Sequence, residues 1–398
     1  MSYQTQPVMG RDVQGEKPAQ AMNGPTHPRK LMAGLSLGFL SLLAAWAGFL
    51  RYFGISTHWR PLVLPALLGL HLLLYVRRRW QMNRPGLGAP VYTSLGIGNG
   101  ISLARGFLLA LLSSFLFIPW PASPWNVLPG LLFTFIVLAD FLDGLAARLE
   151  GHSSLFGEAL DMHLDGLGVL IGSLILVRFG QMPWWFLLVG LARYLFLAGQ
   201  RVLAWVGRSP RPLSFSPVRR ALAGIMMGFI ALALYPTFSP PATWIIGGAL
   251  FVPFIVQFTR DFLAVAGYVD ILTRVLSLTP VRWLINHRDI GLMGLRTFVG
   301  VLISAYLWQL HPVLLTQWGT VVVFVLAVVT LLFFLGILVR VDALALLVYL
   351  GVHLTHLPEQ PIHFMLAVGA VLLLLEGGGK FTLCKVDDTL FLTRVGAQ

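Results

Sequence analysis

The sequence predicts an all-α, polytopic integral-membrane protein, and three observations carry that expectation. Apolar residues make up 57% of the chain against 11% charged, and the mean hydropathy is +0.79, far above what a water-facing surface permits. Apolar stretches long enough to cross a hydrocarbon core recur from Leu31 to Glu376, roughly twelve of them, separated by short loops rich in Pro, Trp and Arg. The basic residues behind the net charge of +12 gather at the ends of these stretches rather than interleaving with aromatics on a soluble face. They therefore read as anchors against anionic lipid, and nucleic acid is excluded as a partner. The single cysteine, Cys384, rules out an intrachain disulfide and a cysteine metal cage.

Residues 1–30 are polar, without apolar periodicity, and are expected to form a disordered cytoplasmic tail. The first apolar run, Leu31 to Leu50, follows Arg29-Lys30, too far from the start for an ordinary signal peptide, so it reads as a retained anchor. A second span at about 61–76 ends on Arg77-Arg78-Arg79, which gives a two-helix segment over 31–79. Trp80 to Gly98, bearing Gly and Pro, suits a juxtamembrane segment in the interface. Six spans follow at about 101–119, 125–147, 159–177, 184–206, 218–235 and 242–262, and with the juxtamembrane stretch they make a unit over 80–265. An amphipathic connector is expected at 266–289. Four further apolar segments, at about 291–310, 318–339, 341–355 and 362–375, form a module over 290–385, with a polar tail at 386–398.

Alternating the direction of the spans places the uncharged loops Pro119–Pro124 and Pro236–Pro241 outside and the Arg-rich loops in the cytoplasm. Arg51, Arg60 and Arg178 depart from that bias. A bacterial inner membrane, with the active site facing the cytoplasm, is the expected setting.

Four of the eleven aspartates lie between Asp140 and Asp165, at the facing ends of two consecutive spans. Asp140 and Asp143 stand three apart, Asp161 and Asp165 four apart, so each pair shares one helix face. Each carboxylate costs roughly 2.5–3.5 kcal/mol at a helix centre, so four of them need a counter-charge. Oxygen-only ligands suit hard cations, Mg²⁺ or Mn²⁺, and two such ions balance four carboxylates in the arrangement used for two-metal phosphoryl chemistry. Gly144 leaves room for a nucleotide beside the carboxylates, Ala147 keeps the next turn narrow, Arg148 offers a planar fork for phosphate, and Gly157 again permits close approach. The competing explanation is a structural ion cluster or the lining of a cation pathway in a transport or redox-linked protein. His163 points away from the carboxylate face and reads as packing. His152, in the hairpin turn, is expected to be solvated.

Read together, Asp140-x-x-Asp143-Gly144-x-x-Ala147-Arg148, eight residues, Gly157-x-x-x-Asp161-x-x-x-Asp165 resembles the signature of the CDP-alcohol phosphotransferase family at every defined position. Upstream, Asn99-Gly100-Ile101-Ser102-Leu103-Ala104-Arg105 is similar to the Asn-x-x-Thr-x-x-Arg element that opens the family's first core helix, with Ser for Thr. The resemblance implies a six-helix core at about 95–265, with two helices added before it and about four after. It implies a CDP-alcohol donor, a second alcohol as acceptor, release of CMP and two bound divalent ions. By the same resemblance Asp140, Asp143, Asp161 and Asp165 hold metal and Asp165 is also the general base. Asn99, Ser102, Arg105, Gly144, Ala147, Arg148 and Gly157 are then expected around the nucleotide and its diphosphate.

CDP-diacylglycerol suits a site at the membrane boundary, because its acyl chains stay in lipid while the nucleotide stays in water. Arg211, Arg219 and Arg220 are candidates for an anionic acceptor, Arg220 because the family often has a basic residue opening its fifth core helix. Arg260-Asp261 reads as a local ion pair. Homodimers are common in the family, so a homodimer is compatible with the resemblance. The 290–385 module resembles the four-helix DoxX-type membrane family through Arg296, Leu338-Val339-Arg340-Val341 and Gly378-Gly379-Lys380-Phe381-Thr382-Leu383. His353, His356, Glu359 and His363 gather at its outer end.

Overall fold

A computed structural model describes residues 29–211, 216–268, 287–310, 319–353, 361–379 and 381–383. Residues 1–28 of the tail expected at 1–30, most of the connector (269–286), His356, Glu359, Lys380 and the final tail fall outside those residues, as does the side chain of His353, while Arg29 and Lys30 open a helix.

Helices cover the apolar runs in order: α1 (Arg29–Tyr52), α2 (Arg60–Arg79), α3 (Ile97–Leu112), α4 (Leu128–Glu150), α5 (Leu155–Arg178), α6 (Leu187–Trp205), α7 (Pro217–Ala233) and α8 (Ala242–Val265). They continue with α9 (Arg288–Leu310), α10 (Gly319–Leu335), α11 (Val339–His353) and α12 (Pro361–Glu376). No strand occurs among the described residues. Among the described residues, eight helical segments, in α1 to α6, α8 and α9, are long and apolar enough to cross a membrane. The protein is all-α and multi-pass.

In lipid the apolar side chains have no water to escape, so helix association rests on close packing and on internal polar partners. Large apolar residues such as Leu40, Phe135, Leu138 and Val256 accordingly face outward. Inside, α3 is the most deeply enclosed span and packs against α2, α4 and α5. Two glycines of α3 make that possible. A Cβ on Gly98 would stand 2.8 Å from Ala147 Cβ on α4, and one on Gly106 would meet Leu72 of α2 at 2.9 Å and Leu164 of α5 at 3.0 Å.

The α4–α5 turn is built from local signals. Gly151, with φ +65°, closes α4 in the left-handed conformation, and the His152 amide returns to the Ala147 carbonyl at 3.0 Å, the bond pattern of a helix stop at glycine. Ser154 then caps α5, its Oγ accepting from the Gly157 amide at 3.1 Å. Only Gly151 to Ser154 separate the two helices. His152 is not solvated as expected: its ring stacks on Tyr92, centroids 3.8 Å apart, because the 83–96 segment folds back over the turn.

Among the last four helices, α9 packs on α10 and α12, and α11 on α12. This group meets the rest of the protein mainly through α11 and α12 against α8, and α12 also touches α7.

Candidate active site

The four aspartates come from the facing ends of α4 and α5 and converge on one point. Asp140, Asp161 and Asp165 each present an oxygen such that the three atoms lie within 4.8 Å of one another. Asp143 is buried beside them and accepts from Ser102 Oγ at 2.6 Å. Between them stands the guanidinium of Arg105, on α3 and only 1% exposed. It pairs with Asp140, and lies 2.8 Å from Asp161 Oδ1, 3.4 Å from Asp165 Oδ1 and 4.0 Å from Asp143 Oδ2. One fixed cation thus faces four carboxylates, so three formal negative charges remain to be balanced in a half-exposed site.

The donor set fits hard divalent ions. Every ligand atom is a carboxylate oxygen, and Asp165 Oδ1 is buried without a hydrogen-bond partner, a cost that coordination would remove.

The remaining residues expected around a nucleotide fall into two roles. Gly144 lies under Arg148, whose Nη1 is 3.4 Å from the position a Cβ would take there, and Ala147 packs on Gly98 of α3. Asn99 faces a polar hub behind the site: its Nδ2 donates to Leu95 O at 2.7 Å, Ser154 Oγ at 3.1 Å and Asn83 Oδ1 at 3.3 Å. Its Oδ1 abuts Gly157 so closely that any Cβ there would collide. Asn99 and Gly157 therefore fix where α5 begins relative to α3. Arg105, expected at a diphosphate, directs its guanidinium to the carboxylates instead.

Of the arginines expected at an acceptor, Arg211 and Arg219 meet the end of α8. Arg219 Nη1 is 3.2 Å from Asp261 Oδ2, and Gln257 Nε2 donates to Asp261 Oδ1 at 2.9 Å. Arg260, the expected partner of Asp261, is the more distant at 3.5 Å. Arg211 donates its amide to Val265 O at 3.0 Å, and Arg220 is exposed on α7.

Three features were not anticipated. Arg193 of α6 packs its side chain on Gly166, next to Asp165. His163 pairs with His71 of α2, Nε2 to Nε2 at 3.0 Å. Asp261 anchors Arg219. Of these only Arg193 left a trace in the sequence, as a charge in the middle of an apolar span.

A family model described as CDP-alcohol phosphatidyltransferase matches residues 95–256. Over 151 residues the chain is 33% identical to proteins of Mycobacterium bovis and Mycobacterium tuberculosis, each named "Putative cardiolipin synthase", covering 36% of this chain and 69% of theirs. The chain belongs to the CDP-alcohol phosphatidyltransferase family. It is therefore a membrane-embedded CDP-alcohol phosphotransferase, taking a CDP-alcohol donor and an alcohol acceptor in phospholipid synthesis. The matched region opens just before α3 and closes within α8, so the phosphatidyltransferase signature spans the carboxylate site, while α1, α2 and α9 to α12 lie outside it. No solved structure matches the chain.

Proposed function

We propose that this phosphatidyltransferase moves the phosphatidyl group of CDP-diacylglycerol onto the primary hydroxyl of the phosphatidylglycerol headgroup, forming cardiolipin and releasing CMP at the cytoplasmic face of a bacterial inner membrane. The observation that carries the reading is the convergence of four carboxylates from α4 and α5 on the buried guanidinium of Arg105. The name of the mycobacterial relatives supports the product. The acceptor then carries a phosphodiester, for which Arg211, Arg219 and Arg220 are the candidate cations, Arg219 already being held by Asp261. Residues 80–265 form the catalytic core in this reading, and the α9 to α12 module, similar to the DoxX-type family, is an appended unit.

Asp140, Asp143, Asp161 and Asp165 would hold two Mg²⁺ or Mn²⁺ ions. When bound, these supply Lewis-acid polarisation of the phosphoryl oxygens. Ser102, donating to Asp143, fixes that carboxylate's orientation. Gly144 and Ala147 keep the flank of α4 narrow enough for the nucleotide, and Arg148 offers its fork to the diphosphate. Asp165 accepts the proton of the acceptor hydroxyl as the oxygen attacks the phosphatidyl phosphorus. The new P–O bond forms to the acceptor, the P–O bond to CMP breaks, and the proton passes from Asp165 to solvent.

Detergent-purified protein supplied with CDP-diacylglycerol is expected to release CMP in the presence of Mn²⁺, to stop when chelator is added and to resume when Mn²⁺ is restored. Mass spectrometry after offering phosphatidylglycerol, glycerol 3-phosphate and inositol phosphate in parallel should find cardiolipin. A different phosphodiester would replace the acceptor assignment. Cation flux without CMP release from any acceptor would overturn the reading as a transferase.

A further inference from the structure

The helix carrying Asp161 and Asp165 is held from behind by a residue outside the family-matched region. His163 stands between the two aspartates on α5 and points to the opposite side of that helix, where its Nε2 meets His71 Nε2 of α2 at 3.0 Å. One ring donates and the other accepts. Tyr75, one turn on from His71, stacks on His163 with centroids 5.0 Å apart and planes 10° from parallel. Its hydroxyl donates to the Ala159 carbonyl of α5 at 3.0 Å. Arg79 in turn covers the Tyr75 ring, 5.1 Å from its centroid. Leu72, fully buried, and Leu164 of α5 both close on Gly106 of α3.

The pair is exposed at His71 and half-buried at His163, and its hydrogen bond, with the Tyr75 stack and the Tyr75 hydroxyl, is directional in a way that the surrounding leucines are not. Apolar contacts permit α5 to turn about its axis, and the His71–His163 bond and the Tyr75 hydroxyl fix the angle. That angle sets where both carboxylates of α5 point.

We infer that α2 belongs to the catalytic unit and that His71 is a positioning residue, acting through His163 to set the rotation of α5 and hence the placing of Asp161 and Asp165. The inference rests on the carboxylates being the reaction centre, as proposed above. It extends the working unit of the enzyme beyond the residues that the family shares.

The test uses the full-length purified protein, with CMP release and Mn²⁺-induced thermal stabilisation read side by side. His71→Ala is expected to lower kcat on the order of tenfold, since small displacements of reacting groups have effects of this size or larger. It should also raise the Mn²⁺ concentration needed for half-maximal thermal stabilisation, and leave the KM for CDP-diacylglycerol within about twofold. His71→Gln, which can offer an amide to His163, should recover most of both losses. His163→Ala should behave as His71→Ala does, and the double variant should be no worse than either, because both remove the same bond. Additive losses, or an unchanged Mn²⁺ midpoint in well-folded His71→Ala, would overturn the inference. If His71→Ala does not fold, the decision passes to His71→Gln and His163→Gln, which must then match wild type in Mn²⁺ midpoint. Wild-type protein that binds Mn²⁺ yet releases no CMP would sink the proposed reaction, and the clamp would still be judged by the Mn²⁺ midpoints.

Discussion

Asp165 sits one turn beyond Asp161 on α5, with Oδ1 enclosed and no hydrogen-bond partner of its own. A carboxylate so placed can take a proton, and an amide of the same shape cannot. Asp165→Asn is therefore expected to leave donor binding largely intact while CMP release falls roughly 10²-fold or more. Wild-type turnover in that variant would remove Asp165 from its assigned role. The carboxylates were legible in the sequence because charge inside an apolar stretch is costly and because three- and four-residue spacings place each pair on one face. The cation among them was legible only as a motif position. Arg105 lies on another helix, and nothing in its local sequence reveals that its guanidinium reaches all four acids. His71 and His163 are 92 positions apart, and pairing across such a separation has no periodic signature. Arg193 was visible as a lone mid-span charge, but its neighbour, Gly166, was not.

At the scale of the helix, the apolar runs located the elements, and the deviations fall at the chemically active ends. Hydropathy suggests that the fifth helix begins near residue 159, whereas α5 starts at Leu155. Glu158 and Asp161 lower the apolar signal there, yet Ser154 supplies the cap that starts the helix, and its Oγ also accepts from Asn99 Nδ2 at 3.1 Å. The same holds at α3, which begins at Ile97 rather than near 101. Active-site helices extend past the lipid-matched stretch because their polar ends are the part that works. Ser154→Ala removes a cap and a partner of Asn99 together, so a loss of about 1–2 kcal/mol is expected. This should be seen as a lower thermal midpoint in detergent, with a weakened Mn²⁺ response because the start of α5 is no longer fixed to α3. An unaltered midpoint would show that the turn is held by other contacts.

Across the whole molecule, α11 and α12 lean on α8, and Phe238 packs so closely on Gly351 that a Cβ there would collide with its ring. Removing everything after Ile290 would expose that face of α8 while leaving α2 to α5 untouched. The shortened protein is expected to retain CMP release at a reduced thermal midpoint, and complete loss of turnover with intact folding would make α9 to α12 part of the reaction. Which faces the appended helices would cover was not legible from the sequence, since their apolar character is nearly uniform around each helix and only shape selects the contact. The brevity of the link between α4 and α5 has a separate implication. All four acids travel in one uninterrupted hairpin, so recombination or grafting could transfer them as a set. The guanidinium that meets all four would stay behind on α3. A transplanted hairpin would arrive with its negative charge intact and no built-in counterweight, and it would be tolerated only in a host able to supply a cation at the same depth.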